Sequence, residues 1–295
     1  MQIFLTGATG TVGRAVLARL LERGHGVTAL VRSPESGARV RAAGARAVSG
    51  DIREPRAWIE EARAAGTLVH MAASFDADAV QAERRLVAAL KDLPADTARP
   101  FHLVYTGGVW LYPAGRPAPL RESVPFAPLP AFAHVANAIH SLLSLRHIAL
   151  SVIHPTLVCA ADGGPIADMR EAAETGTPFV TRAGLDTLWP LVDADDLADL
   201  YVRAVEARRF RLSAFGCGIE AVPVSTLLRL VSDHLGLRLD LAHAMPDAAA
   251  ADMDAEAGYA LSQRVSSAQA EKLLGWRPRL RSPEALVEAL LPVTG

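Results

Sequence analysis

The 295-residue chain predicts an α/β protein, a doubly wound parallel sheet with helices on both faces followed by a smaller C-terminal α/β cap. Three observations carry this prediction. Short apolar runs alternate with helical patterns through the first half of the chain, a triple-glycine turn joins the first run to the first helix, and the alternation stops at Pro155. The length is sufficient for two cores.

The runs at residues 3–6, 27–31, 45–48, 67–71, 101–106 and 150–153 are short and almost wholly apolar, which suits strands buried on both faces. Between the first two, residues 12–23 place Val12, Ala15, Val16, Arg19 and Leu20 at helical spacing, and Gly24 follows as a stop. Helical patterns at 55–65, 76–91 and 131–147 complete the alternation. Beyond Pro155 come Gly- and Pro-containing loops at 162–165 and 175–178, an apolar segment at 188–192, and a helix at 195–207 that returns to the first domain. Helices at 224–235 and 267–274 belong to the cap, and the Ala- and Asp-rich stretch 244–258 reads as a mobile surface loop. The expected division is 1–160 plus about 188–215 for the first domain, and about 161–187 plus 216–295 for the cap.

Composition narrows the function. Thirty Lys+Arg against 32 Asp+Glu give a net charge of -2, so no basic field is expected to hold a nucleic-acid backbone. Cys159 and Cys217 are too few for a disulfide framework or a thiolate site, and the histidines lack close ligand spacing, so no metal is expected. The opening Met-Gln-Ile-Phe-Leu-Thr-Gly runs into a strand and turn with no basic segment and removable apolar stretch behind it. The most apolar stretch, 148–161, is cut by His154 and Pro155 and is shorter than the roughly 20 residues that cross a bilayer. These features predict a cytoplasmic protein with a small-molecule substrate and no membrane partner.

The segment Thr6-Gly7-Ala8-Thr9-Gly10-Thr11-Val12-Gly13 follows a strand and opens a helix, the context in which a glycine pattern acquires meaning. Gly7 supplies a tight turn, Gly10 lets backbone approach a pyrophosphate, and Gly13 lets the helix pack close to the strand. The helix N-terminus then offers free N–H groups and a positive dipole end, so Thr9, Thr11 and Val12 join the three glycines as expected cofactor contacts of a Rossmann-type dinucleotide site. The second strand ends Leu30-Val31 and is followed by Arg32 rather than a carboxylate. A guanidinium suits bidentate phosphate contact, which favours NADP(H), while Glu35 keeps NAD(H) open.

The spacing Gly7-x-x-Gly10-x-x-Gly13 resembles the extended short-chain dehydrogenase/reductase superfamily, in its NAD-dependent epimerase/dehydratase branch. Further resemblances run along nearly the whole chain. Gly50-Asp51-Ile52 resembles the site where that family holds adenine, which implies that role for Asp51 and Ile52. Val69-His70-Met71-Ala72-Ala73 resembles the strand beneath the cofactor, which implies contacts from Met71, Ala72 and Ala73. The stretch from Val104 through Tyr105, Thr106, Gly107 and Gly108 to Tyr112 resembles the fifth strand and its active-site loop, with Pro155 near the nicotinamide end. Leu191-Val192-Asp193-Ala194-Asp195-Asp196-Leu197-Ala198 resembles a domain-boundary motif, and Lys272-Leu273-Leu274-Gly275-Trp276-Arg277-Pro278 the C-terminal signature. The resemblance also implies a homodimer built from the helices at 76–91 and 131–147.

One departure bears on chemistry. The family's Tyr-x-x-x-Lys pair matches His134-Val135-Ala136-Asn137-Ala138, and its active-site Ser or Thr matches Gly107 or Gly108. The only tyrosines are Tyr105, Tyr112, Tyr201 and Tyr259, and the only lysines Lys91 and Lys272. Hydride delivery to a carbonyl leaves an alkoxide that must be protonated. With an unperturbed pKa of about 6.5, His134 is a candidate donor, the alternative being the substrate itself, with His134 then only occupying the helix surface. Asn137, one turn away, is expected to bind a ribose hydroxyl, Thr106 is the nearest remaining hydroxyl, and Tyr112 is a second donor or a substrate contact. The expected function is an NADP(H)-dependent oxidoreductase acting on a small organic substrate. Two alternatives stand beside it: a cofactor-binding sensor or partner protein with reduced catalysis, and a lyase, isomerase or cyclase on the same fold.

Overall fold

The computed structural model of the chain describes residues 1–73, 78–245 and 254–291. In chain order the elements begin β1 (Gln2–Thr6), α1 (Thr11–Glu22), β2 (Gly26–Val31), α2 (Pro34–Ala42), β3 (Arg46–Ser49), α3 (Ile59–Ala65), β4 (Thr67–His70) and α4 (Ala79–Lys91). They continue with β5 (Phe101–Thr106), α5 (Ala133–Leu143), β6 (Ile148–Pro155), β7 (Leu157–Cys159), α6 (Pro165–Thr175), β8 (Phe179–Thr181), β9 (Leu188–Asp193) and α7 (Ala194–Ala207). The last are β10 (Arg211–Gly216), β11 (Ile219–Pro223), α8 (Val224–Leu235), β12 (Leu241–His243), α9 (Ala268–Leu274) and α10 (Pro283–Leu290).

Seven strands form the principal sheet in the order β10-β6-β5-β4-β1-β2-β3. The pairs β1–β2, β2–β3, β1–β4, β4–β5 and β5–β6 are parallel. The order reverses between β1 and β4, and in open α/β sheets the ligand crevice lies outside the strand C-termini at such a switch point. All six strands expected from apolar runs are present, and the central ones are buried as two-sided coverage requires: Ile3, Phe4, Leu5, Leu68, Val69, Leu103 and Val104 have no exposed surface, whereas the edge strand β3 is exposed or half-buried along its length. Among the described residues no helix is long and apolar enough to cross a membrane.

Several elements were not evident in the sequence. α6 occupies residues that read as a link between two loops, because its boundaries are the loop-forming residues themselves: Gly164 is its N-cap, Pro165 its first residue and Gly176, at φ +67°, its C-cap. β10 alternates part-exposed and buried positions through Arg211, Leu212 and Ser213, so it carries no continuous apolar run. The helix expected at 55–65 is a 3₁₀ turn at Pro55–Ala57 followed by α3. The loop expected over 244–258 lies largely outside the described residues, as do the first two residues of the helix expected at 76–91.

The chain falls into two compact units, the first made of Met1–Gly107, Ala133–His154 and Ala198–Ala214, the second of Gly108–Phe132, Pro155–Leu197 and Phe215–Gly295. This division differs from the expected one chiefly in placing 108–132 with the second unit. Long-range hydrogen bonds explain the difference. Gly115 N donates to Ser262 O, Leu120 N to Arg264 O and Ser266 N to Leu120 O, while the buried Gln263 amide donates to the carbonyls of Val109 and Tyr112. The second unit's core gathers Met169, Phe179, Trp189, Leu191, Leu227, Val231 and Leu286 around the three-stranded sheet β11-β9-β7.

Candidate functional site

The glycine turn at the end of β1 has the geometry of a phosphate cradle. Gly7 adopts φ +78°, and a Cβ there would lie 2.7 Å from Ala72 N, so a side chain is excluded by conformation and by space. At Gly13 a Cβ would run into Gly7 O, which makes this glycine the close-packing contact between helix and turn. Gly10 differs: a Cβ would meet only Gly7 O, at 3.5 Å, an ordinary contact. Among the described residues nothing crowds position 10, and the absence of a Cβ there leaves the α1 amides open to close approach by a ligand. Gly10 is also the N-cap of α1, makes no side-chain cap bond, and leads into a first turn without acidic residues. Thr9, Thr11 and Val12 lie at this rim, only partly buried. These residues fit the phosphates of a dinucleotide.

The neighbouring positions line the same end of the sheet. Met71 N and Ala72 N, just past β4, both donate to Thr6 Oγ1 at 3.3 Å, and Ala73 is exposed beside them. After β3, Asp51 Oδ1 accepts Arg53 N at 2.8 Å and Asp51 O accepts Trp58 Nε1 at 2.9 Å, with Ile52 half-buried alongside. Arg32, immediately after β2, is exposed and has no hydrogen bond or ion pair among the described residues.

The expected chemical residues lie on different elements. Thr106 Oγ1 donates to His70 O at 2.9 Å and accepts the hydroxyl of Tyr201 at 2.7 Å, so it ties β5 to β4 and α7. Burial pushes the Tyr201 hydroxyl far above the ordinary tyrosine range, so it stays protonated. Tyr112 belongs to the second unit, where its ring is buried against Phe126 and Phe215 at centroid distances of 5.1 and 4.7 Å. His134 is half-buried in the first turn of α5, and Asn137 is exposed one turn later. Pro155 closes β6, after a fully buried His154 whose Nε2 lies 3.2 Å from Ser213 Oγ.

The sequence reading passed over Glu83. On α4 it stands four residues after Ala79 and three before Leu86, both buried, so a carboxylate occupies the apolar face. Its Oε2 accepts the Tyr105 hydroxyl at 2.6 Å, and its Oε1 lies 3.5 Å from His70 Nε2. Burial favours the neutral acid, yet the hydrogen bond and charge of His70, the bond from Tyr105 and, last, the charge of His134 together hold the carboxyl below its ordinary range. Burial and the Glu83 charge push Tyr105 well above the ordinary tyrosine range, so its phenol is not a proton source near neutrality. The available signal was the position of a single acid on an apolar helical stripe.

In the second unit, two sequence motifs prove to be one structure. Asp193 Oδ1 accepts the backbone N–H groups of Asp195 and Asp196, capping α7. Asp196 instead reaches the C-terminal segment: its carboxylate accepts Arg279 N, Arg279 Nε and Leu280 N at 2.8 to 2.9 Å, while its carbonyl accepts Trp276 Nε1 at 2.8 Å.

Comparisons with known proteins agree with this geometry. Residues 3–214 match the model of the NAD dependent epimerase/dehydratase family. An uncharacterized protein of Schizosaccharomyces pombe is 24% identical over 290 residues, covering 94% of this chain and 95% of that one. UDP-glucose 4-epimerase of Corynebacterium glutamicum is 26% identical over 323 aligned positions, covering 98% and 94%. The crystal structure of UDP-glucuronic acid 4-epimerase from Bacillus cereus, in complex with UDP-glucuronic acid and NAD, superposes with a TM-score of 0.79 at 14% identity, covering 98% of this chain and 97% of that one. At that identity the likeness concerns the fold.

Proposed function

The chain belongs to the NAD dependent epimerase/dehydratase family, and from that premise we propose that it is a nicotinamide-dependent oxidoreductase acting on a small organic substrate. The observation that carries this reading is the cradle at the N-terminus of α1, where Gly7 and Gly13 admit no side chain and Gly10 leaves the helix amides open. When bound there, the cofactor supplies or accepts a hydride. The chain's part is to hold the phosphates on the α1 amides, to seat adenine beside Asp51 and Ile52, and to protonate or deprotonate the substrate oxygen through His134, with Asn137 available to a ribose hydroxyl.

Dinucleotide choice turns on Arg32. The family description and the B. cereus structure name NAD, whereas the argument for NADP(H) is the exposed guanidinium at the end of β2, suited to a 2′-phosphate. Calorimetric titration of NADPH and NADH into wild-type protein and Arg32→Ala separates the two. Selection by Arg32 predicts that the substitution weakens NADPH by about 1.5 to 3 kcal/mol, the range for a hydrogen bond to a charged group, and leaves NADH unchanged. Tighter binding of NADH than of NADPH, unaffected by the substitution, would assign the site to NAD(H), and no binding of either nucleotide would remove the cofactor reading.

An epimerase is the second reading, favoured by the relative from C. glutamicum that aligns over nearly the whole chain. Hydride would then be removed and returned without net oxidation. Conversion of UDP-glucose without a change in nicotinamide absorbance would establish that reading, and substrate-dependent net oxidation of NAD(P)H would exclude it.

A further inference from the structure

Thr6, His70 and Tyr105 are register neighbours on β1, β4 and β5. They form a buried polar row across the C-terminal end of the sheet, the end at which the glycine turn lies, and the row ends at Glu83 of α4, whose side chain is 14% exposed. Each member meets the next. Thr6 Oγ1 lies 2.9 Å from His70 Nδ1, His70 Nε2 lies at an ion-pair distance of 3.5 Å from Glu83 Oε1, and the Tyr105 hydroxyl donates to Glu83 Oε2 at 2.6 Å. The His70 and Tyr105 rings stack at 5.7 Å, so their polar tips reach the two oxygens of one carboxylate.

A carboxylate this far from water needs its lone pairs filled and its charge answered. Against the penalty of burial, His70 supplies the largest answer, by a hydrogen bond and by charge, Tyr105 adds a second hydrogen bond, and His134 adds charge alone and least. With one ring proton or two, the carboxylate keeps a proton on Nε2, and Nδ1 is the nitrogen that meets Thr6. The imidazole is thereby held at both of its nitrogens. At the other end of the row, Thr6 Oγ1 also accepts Met71 N and Ala72 N at 3.3 Å. Ala72 N is the atom that would lie 2.7 Å from a Cβ on Gly7, so the Thr6 hydroxyl holds the first amides past β4 against the glycine turn. The row thus runs without a break from an acid on α4 to the wall of the phosphate cradle.

We propose that Glu83 is a positioning residue of the dinucleotide site: paired with His70 it fixes the imidazole, the imidazole fixes the Thr6 hydroxyl, and that hydroxyl sets the Met71 and Ala72 amides that back the Gly7 turn. The proposal rests on the nicotinamide-dependent reading above. Glu83 takes no part in bond making; its effect is on how well the cradle is formed before the cofactor arrives. In Glu83→Gln the charge is gone, and one of the two donors, the His70 ring or the Tyr105 hydroxyl, meets an NH₂ instead of an oxygen. The ring then loses the contact that orients it, and Thr6 loses the ring.

The test is a double-mutant cycle, read by calorimetric titration of NADPH and NADH into the full-length protein, Glu83→Gln, Thr6→Val and the variant carrying both. Each single substitution should weaken the dinucleotide that wild type binds by about tenfold, the scale of one lost hydrogen bond. Because Glu83 acts through Thr6, adding Glu83→Gln to Thr6→Val should cost no more than about a further factor of two, whereas independent effects would multiply to about a hundredfold. A merely structural role predicts a lower Tm with the affinity unmoved. Unmoved affinity in folded Glu83→Gln, or multiplying losses in the double variant, overturns the proposal. Should Glu83→Gln not fold, the wild-type protein still decides: the ¹⁵N shifts of the His70 ring near neutral pH must show a proton on Nε2, and a bare Nε2 overturns the pairing. Absence of dinucleotide binding by wild type overturns the cofactor reading and the positioning role together, while wild-type binding that the variants leave unmoved overturns the positioning role alone, so the two failures are distinguishable.

Discussion

Two adjacent glycines at the end of β5 have opposite surroundings. A Cβ on Gly107 would run into the buried ring of His154, whereas a Cβ on Gly108 would meet nothing within 4 Å. Gly108 has an extended backbone at φ 171°, which any residue adopts. Gly107→Ser should therefore cost about 1 to 3 kcal/mol through overpacking, or roughly 2 to 4 °C of Tm per kcal/mol for a unit of this size. Gly108→Ser should leave Tm within about 2 °C by the same scaling. Differential scanning fluorimetry of the two variants checks this, and equal losses would refute it. A chain of letters shows two glycines in a row. Only the position of His154, which comes from β6, distinguishes them.

Among the elements, α7 shows how two distant motifs become one structure. Asp196 is 3% exposed and accepts three N–H groups from residues 279 and 280, so Asp196→Asn replaces a full acceptor with a group that presents one oxygen and an NH₂ to the same donors. The expected loss is about 1.5 to 3 kcal/mol, the range for a hydrogen bond to a charged group, measured by urea unfolding. A change below about 0.5 kcal/mol, the scale of an ordinary surface substitution, would mean that the C-terminal segment is held mainly by Trp276. The sequence marked both motifs. That they bond to each other follows from the path of the chain through the second unit, since more than 75 residues separate Asp196 from Trp276.

For the molecule as a whole, His102 couples stability to pH. It lies fully buried in β5 with Nε2 3.3 Å from Ser151 Oγ and Nδ1 without a hydrogen-bond partner among the described residues. Burial, and then the charge of Arg208, lowers its pKa to about 3. In the unfolded chain an imidazole titrates near 6.5. Below that value the unfolded state takes up a proton that the folded state refuses, so this contribution is complete above about pH 6.5 and is lost as pH falls toward 3, at about 1.4 kcal/mol per unit. Between pH 7 and 5 this group should remove about 2 kcal/mol of unfolding free energy. His102→Gln should lose correspondingly less over that interval. Parallel denaturant curves at the two pH values check this, and identical pH dependence in both proteins would refute it.

The α/β class, the six central strands, the glycine turn and the family were legible in the sequence, because they depend on local periods, on the φ and space allowed at single glycines, and on motifs of contiguous residues. α6 and β10 were hidden, because Gly and Pro bound a helix as readily as they form a loop and because an edge strand need not be uniformly apolar. The tertiary structure alone decided what the polar residues do. It commits Thr106 to His70 and Tyr201, buries Tyr112 between two phenylalanine rings, and brings Glu83 to the end of the Thr6, His70 and Tyr105 row. The physical reason is that burial and the supply of hydrogen-bond partners set the role of a hydroxyl, an imidazole or a carboxylate, and here those partners come from strands and helices far apart in the chain.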